Sequence, residues 1–114
     1  MMNHRVYEKS GISVLELKGS ITMGGGDVTM RDLIKGLLEQ GKKQILVDLG
    51  GVSFMDSTGL GELVAAYTTA RHHDATLKLV NLTKKIHDLL TITQLATVFE
   101  YYESFDEAVS SYKK

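Results

Sequence analysis

Apolar and polar residues along this chain change their repeat several times, and each change marks an element. Residues 4–9 run into Ser10-Gly11, a dipeptide suited to a tight turn, and then into Ile12-Ser13-Val14-Leu15-Glu16-Leu17, rich in β-branched and apolar side chains. Two short strands joined in this way predict an antiparallel hairpin. Past Gly19 the pattern breaks. Ser20-Ile21-Thr22-Met23-Gly24-Gly25-Gly26 predicts a loop, with Asp27 placed to cap a first helix. Met30, Leu33, Ile34, Leu37 and Leu38 then recur at the three-and-four spacing of an apolar helical stripe, and Gly41 is a natural stop. Ile45-Leu46-Val47-Asp48-Leu49 is almost continuously apolar, as a strand covered on both faces requires.

A second helix is expected from Ser57, with Leu60, Leu63, Val64 and Tyr67 on one face. Arg71 and His72 stand near its end, where positive charge complements the helix dipole. Thr76-Leu77-Lys78-Leu79-Val80 predicts a strand, and Thr83 can cap a third helix carrying Ile86, Leu89 and Leu90. Residues 98–101 predict a short edge strand. Ser104 and Glu107 have capping-box spacing and open a last helix with Phe105, Ala108, Val109 and Tyr112 on one side. Two strands followed by alternating helices and strands favour a mostly parallel sheet, joined to an antiparallel hairpin. The expected fold is therefore a single α/β domain over residues 1–114, with about five strands and about four helices.

Composition narrows the function. At 114 residues and 12.6 kDa there is room for one core only. Such a chain buries roughly two thirds of its unfolded surface, so neither metal nor disulfide is needed to hold it. Thirteen Lys and Arg against fourteen Asp and Glu leave a formal charge of -1, which argues against direct nucleic-acid binding. Cysteine is absent, excluding thiol catalysis, disulfides and Cys-ligated zinc. No apolar run reaches the roughly 18 residues of a membrane span, and the first residues lack the apolar core of a signal peptide. A cytoplasmic protein is expected.

Most catalytic signatures are missing. There is no phosphate-cradling P-loop and no His-Glu-x-x-His, and His72-His73 diverge by about 100° on a helix, so they do not share a metal. They read as a solvated helix end, as Lys84-Lys85 read as a solvated first turn. Gly24-Gly25-Gly26 precedes a helix, but Asp27 puts negative charge where a phosphate would sit, so a flexible loop is the better reading. No cofactor or metal is expected.

One segment differs. Gly51-Val52-Ser53-Phe54-Met55-Asp56-Ser57-Thr58-Gly59-Leu60-Gly61 follows the most apolar strand and opens a helix, at the edge where open α/β sheets carry function. Gly59 and Gly61 each cost a helix about 0.5–1 kcal/mol relative to alanine, which implies a close backbone approach, within the fold or by a partner. Ser57 has two readings, an N-cap or an exposed reactive hydroxyl. A nucleophile elbow would need glycine two residues before it, where Met55 stands, and no paired base is visible. The phase of Leu60 suits either the core or a contact surface.

Val47-Asp48-Leu49 with Val52-Ser53-Phe54-Met55-Asp56-Ser57-Thr58-Gly59-Leu60-Gly61 resembles the signature of STAS-domain anti-sigma factor antagonists, and the order of elements fits over nearly the whole chain. The resemblance implies a non-enzymatic partner switch. An anti-sigma factor with serine kinase activity would phosphorylate Ser57, and a metal-dependent serine phosphatase of the PP2C type would reverse it. The unmodified protein would bind the anti-sigma factor and free the sigma factor. The same resemblance implies partner contacts from Ser20, Thr22, Asp56, Ser57, Thr58, Gly59, Leu60 and Gly61. Thr22 stands where such proteins often carry an aspartate, and it supplies no carboxylate. A second reading keeps the fold but makes the chain a constitutive STAS subunit of a larger complex, such as a lipid transporter.

Overall fold

In the computed structural model, residues 2–21 and 30–112 are described. The hairpin comes first. Strands β1 (Met2–Lys9) and β2 (Ile12–Ile21) pair antiparallel in one unbroken register, from Met2 opposite Gly19 to Lys9 opposite Ile12. Ser10 and Gly11 turn the chain with φ of 54° and 79°. Positive φ at both central positions gives the turn whose twist matches that of the flanking strands.

From β2 onward every connection is a helical crossover. Helix α1 (Met30–Glu39) lies between β2 and β3 (Gln44–Met55), α2 (Ser57–His72) between β3 and β4 (Thr76–Val80), and α3 (Lys84–Ile92) between β4 and β5 (Tyr101–Tyr102). The sheet order is β1-β2-β3-β4-β5, with all pairs after the first parallel. Each crossover steps the same way across the sheet, so crossovers of the usual right hand stack their helices on one face. Met30, Ile34, Leu37 and Leu38 of α1, Leu60, Leu63 and Ala66 of α2, and Ile86 and Leu90 of α3 accordingly share one core with Leu15, Leu17, Val47, Leu49 and Leu79 of the sheet.

The last helix, α4 (Phe105–Ser111), takes the opposite face, where Ala108 and Val109 pack on Ile12, Val14, Leu46 and Val80. It covers only part of that face. This explains why β2 begins with four buried residues in a row and then opens to half-buried Glu16 and exposed Lys18. Lys78, the buried charge among the described residues, ties α4 down. Its ammonium donates to the Ser111 hydroxyl at 3.0 Å, pairs with Glu100 at 3.1 Å, and lies 4.6 Å from the centre of the Tyr112 ring. Burial pushes the Tyr112 phenol far above its ordinary range, and its hydroxyl donates to the Ile45 carbonyl.

The expected fold class is what the chain adopts, with three local differences. β2 continues through Ser20 and Ile21, and β3 continues through Met55, where loops were expected on both sides. The glycines that read as breakers are absorbed at two register shifts, between Glu16 and Lys18 and between Gly19 and Ser20, after which pairing resumes as far as Ile21 opposite Met55. The edge strand expected over residues 98–101 is instead Tyr101–Tyr102. Phe99 leaves the strand position because its ring is buried edge-on against Tyr67, with 5.1 Å between centroids. The predicted loop over residues 22–26 and the Asp27 cap lie outside the described residues.

Candidate functional site

Where β3 ends, Met55 is buried and Asp56 turns the chain into α2. The Asp56 backbone is extended, with φ -95° and ψ -175°. Its N–H donates to the Ile21 carbonyl at 3.4 Å, and its own carbonyl accepts from the Leu60 N–H at 2.9 Å. The Asp56 side chain accepts from the Gly59 N–H at 2.8 Å. Asp56, not Ser57, is therefore the N-cap. A carboxylate at this position satisfies an orphan N–H and places negative charge at the positive end of the helix.

That assignment frees Ser57, which becomes the first helical residue. Its side chain is exposed, and among the described residues no hydrogen bond engages its hydroxyl. Thr58 beside it is exposed as well. The N–H groups of a helix's first turn have no intrahelical acceptor, and Asp56 occupies only that of Gly59, so the Ser57 oxygen stands in a field that favours an anion.

The next residues face inward. A Cβ on Gly59 would sit 2.1 Å from the Ile21 carbonyl oxygen, so glycine lets α2 press directly against the end of β2. Leu60 is 7% exposed and Leu63 is fully buried. The ambiguity over Leu60 resolves to the core, because the cap at Asp56 sets the helical phase. Neither Gly59 nor Leu60 presents a side chain to the surface, so the structure gives the partner contacts expected of them no exposed group. Gly61 is different. It is exposed, and a Cβ there would meet nothing within 4 Å. The fold gives no reason for glycine at that position.

Ser20 is half-buried and pairs with Phe54 across the β2–β3 ladder, at the same end of the sheet, while Thr22 lies outside the described residues. The structure therefore brings Ser20, Asp56, Ser57, Thr58 and Gly61 to one end of the central strands. Phe54, 49% exposed, lies at the same end, but Ile21 and Met55, the next pair along, are buried under α2, so the side chains of Ser20 and Phe54 point to the opposite face of the sheet. Inspection of the sequence had no reason to single out Phe54, since an aromatic residue in an apolar run reads as core; only its register opposite Ser20 shows that it faces outward.

No histidine is held near Ser57. His72 lies at the far end of a 16-residue helix, about 22 Å away at 1.5 Å per residue, and His73 follows it. His87 sits 3.3 Å from the Tyr101 hydroxyl, and His4 lies on the outer strand opposite Leu17. The described residues contain no cluster of metal-ligating side chains, and none of their helices is long and apolar enough to cross a membrane.

The family model for the STAS domain matches residues 3–108. The chain belongs to the STAS domain family. Among curated relatives of this STAS domain is the anti-sigma-B factor antagonist of Listeria monocytogenes, 41% identical over 54 residues that make up 47% of each chain. The chain thus spans about half the length of that relative. An anti-sigma factor antagonist from Mycobacterium paratuberculosis superposes with a TM-score of 0.87 at 22% identity, covering 100% of this chain and 96% of the other. The Bacillus cell fate determinant SpoIIAA, in its phosphorylated form, superposes with a TM-score of 0.72 at 18% identity, covering 97% of this chain and 100% of the other. At these identities the structural likeness shows the fold.

Proposed function

We propose that this STAS domain is an anti-sigma factor antagonist whose docking is controlled by phosphorylation of Ser57. The observation that carries this reading is the free hydroxyl of Ser57 at the mouth of α2, with the capping task already taken by Asp56. The relatives' names support the antagonist role, and the SpoIIAA structure shows that a protein of this fold carries phosphate.

The chemistry is local. A phosphate on Ser57 adds about -1.5 to -2 charge beside Asp56, where the N–H groups and dipole of α2 stabilise it without disturbing the core. The same charge lies on a surface that must lose its water when a partner docks, and an unmatched charge there changes affinity by about 2–5 kcal/mol. Thr58 and Gly61 frame that surface. Gly61 keeps it low enough for close approach. The partner is an anti-sigma factor with serine kinase activity, which binds the ATP that donates the phosphoryl group, and a PP2C-type phosphatase resets the serine. The switch operates in the cytoplasm.

The test is a calorimetric titration of the kinase partner with Ser57→Ala and Ser57→Asp chains, alongside mass spectrometry of the wild type after incubation with the kinase and ATP. Phosphate confined to Ser57, and binding of Ser57→Asp at least tenfold weaker than that of Ser57→Ala, are the expected results. Equal affinities would remove the switch. A permanently unmodified, stoichiometric complex would instead favour a constitutive subunit of a larger assembly.

A further inference from the structure

The outer edge of the sheet is β1, eight residues in continuous register with β2, with neither a bulge nor a proline. The two-residue turn makes Lys9 and Ile12 a hydrogen-bonded pair, so the N–H and C=O groups of Asn3, Arg5, Tyr7 and Lys9 serve β2. Those of His4, Val6 and Glu8 point away from it, toward the open side. Edges of this length are normally blunted by charges that meet a newcomer.

Here the charges on β1 each have a partner within their own chain, while the side chains of Arg5 and Glu8 stay 65% and 49% exposed and still meet a newcomer's charges. Arg5 pairs with Glu16 at 3.3 Å and lies 4.7 Å from the centre of the Tyr7 ring. Glu8 accepts from the Ser13 hydroxyl at 2.6 Å and pairs with Lys42 at 3.7 Å. Lys9 stands 4.9 Å over Phe105. Midway along the edge, Val6 is 42% exposed.

We propose that β1 pairs antiparallel with β1 of a second copy, joining two five-stranded sheets into one about a twofold axis at Val6. The strand's own sequence selects this occupant and this register. Centred on Val6, the pairing sets Val6 against Val6, His4 against Glu8, Arg5 against Tyr7 and Asn3 against Lys9. The outward groups of His4, Val6 and Glu8 then meet one another. A slip of two residues one way puts Arg5 against Arg5, and a slip the other way puts Arg5 against Lys9, both like-charge pairs. A slip of one residue sets outward groups against inward ones. A formal charge of only -1 per chain leaves little long-range repulsion between copies. The pairing does not depend on the role of Ser57.

Sedimentation equilibrium of the full chain from about 1 µM to about 1 mM tests the proposal. A monomer–dimer equilibrium is expected, with Val6→Lys raising Kd at least tenfold while circular dichroism stays unchanged. Amide exchange at His4, Val6 and Glu8 should slow as concentration rises, whereas Arg5 and Tyr7 are protected throughout. The chain has no cysteine, and a hydrogen-bonded antiparallel pair holds Cα atoms about 5.5 Å apart, within disulfide reach. Val6→Cys should therefore self-cross-link on mild oxidation, faster than the Glu103→Cys control. A monomer across the whole range, a dimer insensitive to Val6→Lys, or cross-linking no faster than the control would overturn the proposal.

Discussion

Two adjacent residues divide the work at the mouth of α2, and substitutions can separate their roles. Asp56→Ala removes the cap and is expected to cost about 1 kcal/mol in chemical denaturation. Asp56→Asn keeps a capping oxygen and should cost only a small part of that, so any larger effect of Asp56→Asn on partner binding reports the charge. The two glycines of the same turn should respond in opposite directions. Gly59→Ala drives a methyl group into the Ile21 carbonyl, a backbone contact that cannot rotate away, and is expected to destabilise by about 1–3 kcal/mol. Gly61→Ala meets open space and should stabilise the free protein by about 0.5–1 kcal/mol, while the proposed docking role predicts weaker binding of the proposed kinase partner. The helix start at residues 56–57 was legible in the sequence. Which of Asp56 and Ser57 caps was not, because both residue types are good caps and the choice depends on where β3 stops.

The elements read best from sequence were those with a clean repeat and an unambiguous cap. α1 follows its apolar stripe, and α3 and α4 start behind Thr83 and Ser104, whose side chains accept from Ile86 and Glu107. β4 spans the residues its composition suggested. The ends of β2 and β3 were not legible, because Gly19, Gly50 and Gly51 signal a break locally while cross-strand hydrogen bonding carries the ladder past them. At the other end of the chain, α4 is held by Tyr112, whose raised pKa makes a testable linkage. The unfolded phenol loses its proton near pH 10 while the folded one keeps it, so the unfolded state binds fewer protons and stability falls as pH rises above about 10. Unfolding curves at increasing pH should show this loss, and Tyr112→Phe should flatten part of it. At neutral pH that substitution is expected to cost about 0.5–1.5 kcal/mol for the bond to Ile45.

For the molecule as a whole, the proposed switch asks that modification change recognition and leave the fold alone. Ser57→Ala and Ser57→Asp should therefore differ from wild type by no more than about 0.5 kcal/mol in stability, read from denaturation midpoints. Phe54→Ala should likewise leave the fold in place, since the residue is half exposed. The chain by itself determined the α/β class, the order of the elements and the apolar faces of the helices, because each is written in local periodicity and capping chemistry. Only the tertiary structure decided that, among the described residues, nothing bonds the Ser57 hydroxyl and no strand pairs the outer side of β1, that Leu60 belongs to the core, and that Gly59 is demanded by the fold while Gly61 is not. Those outcomes depend on contacts between residues distant in sequence, such as Ile21 with Gly59, which no repeat along the chain encodes.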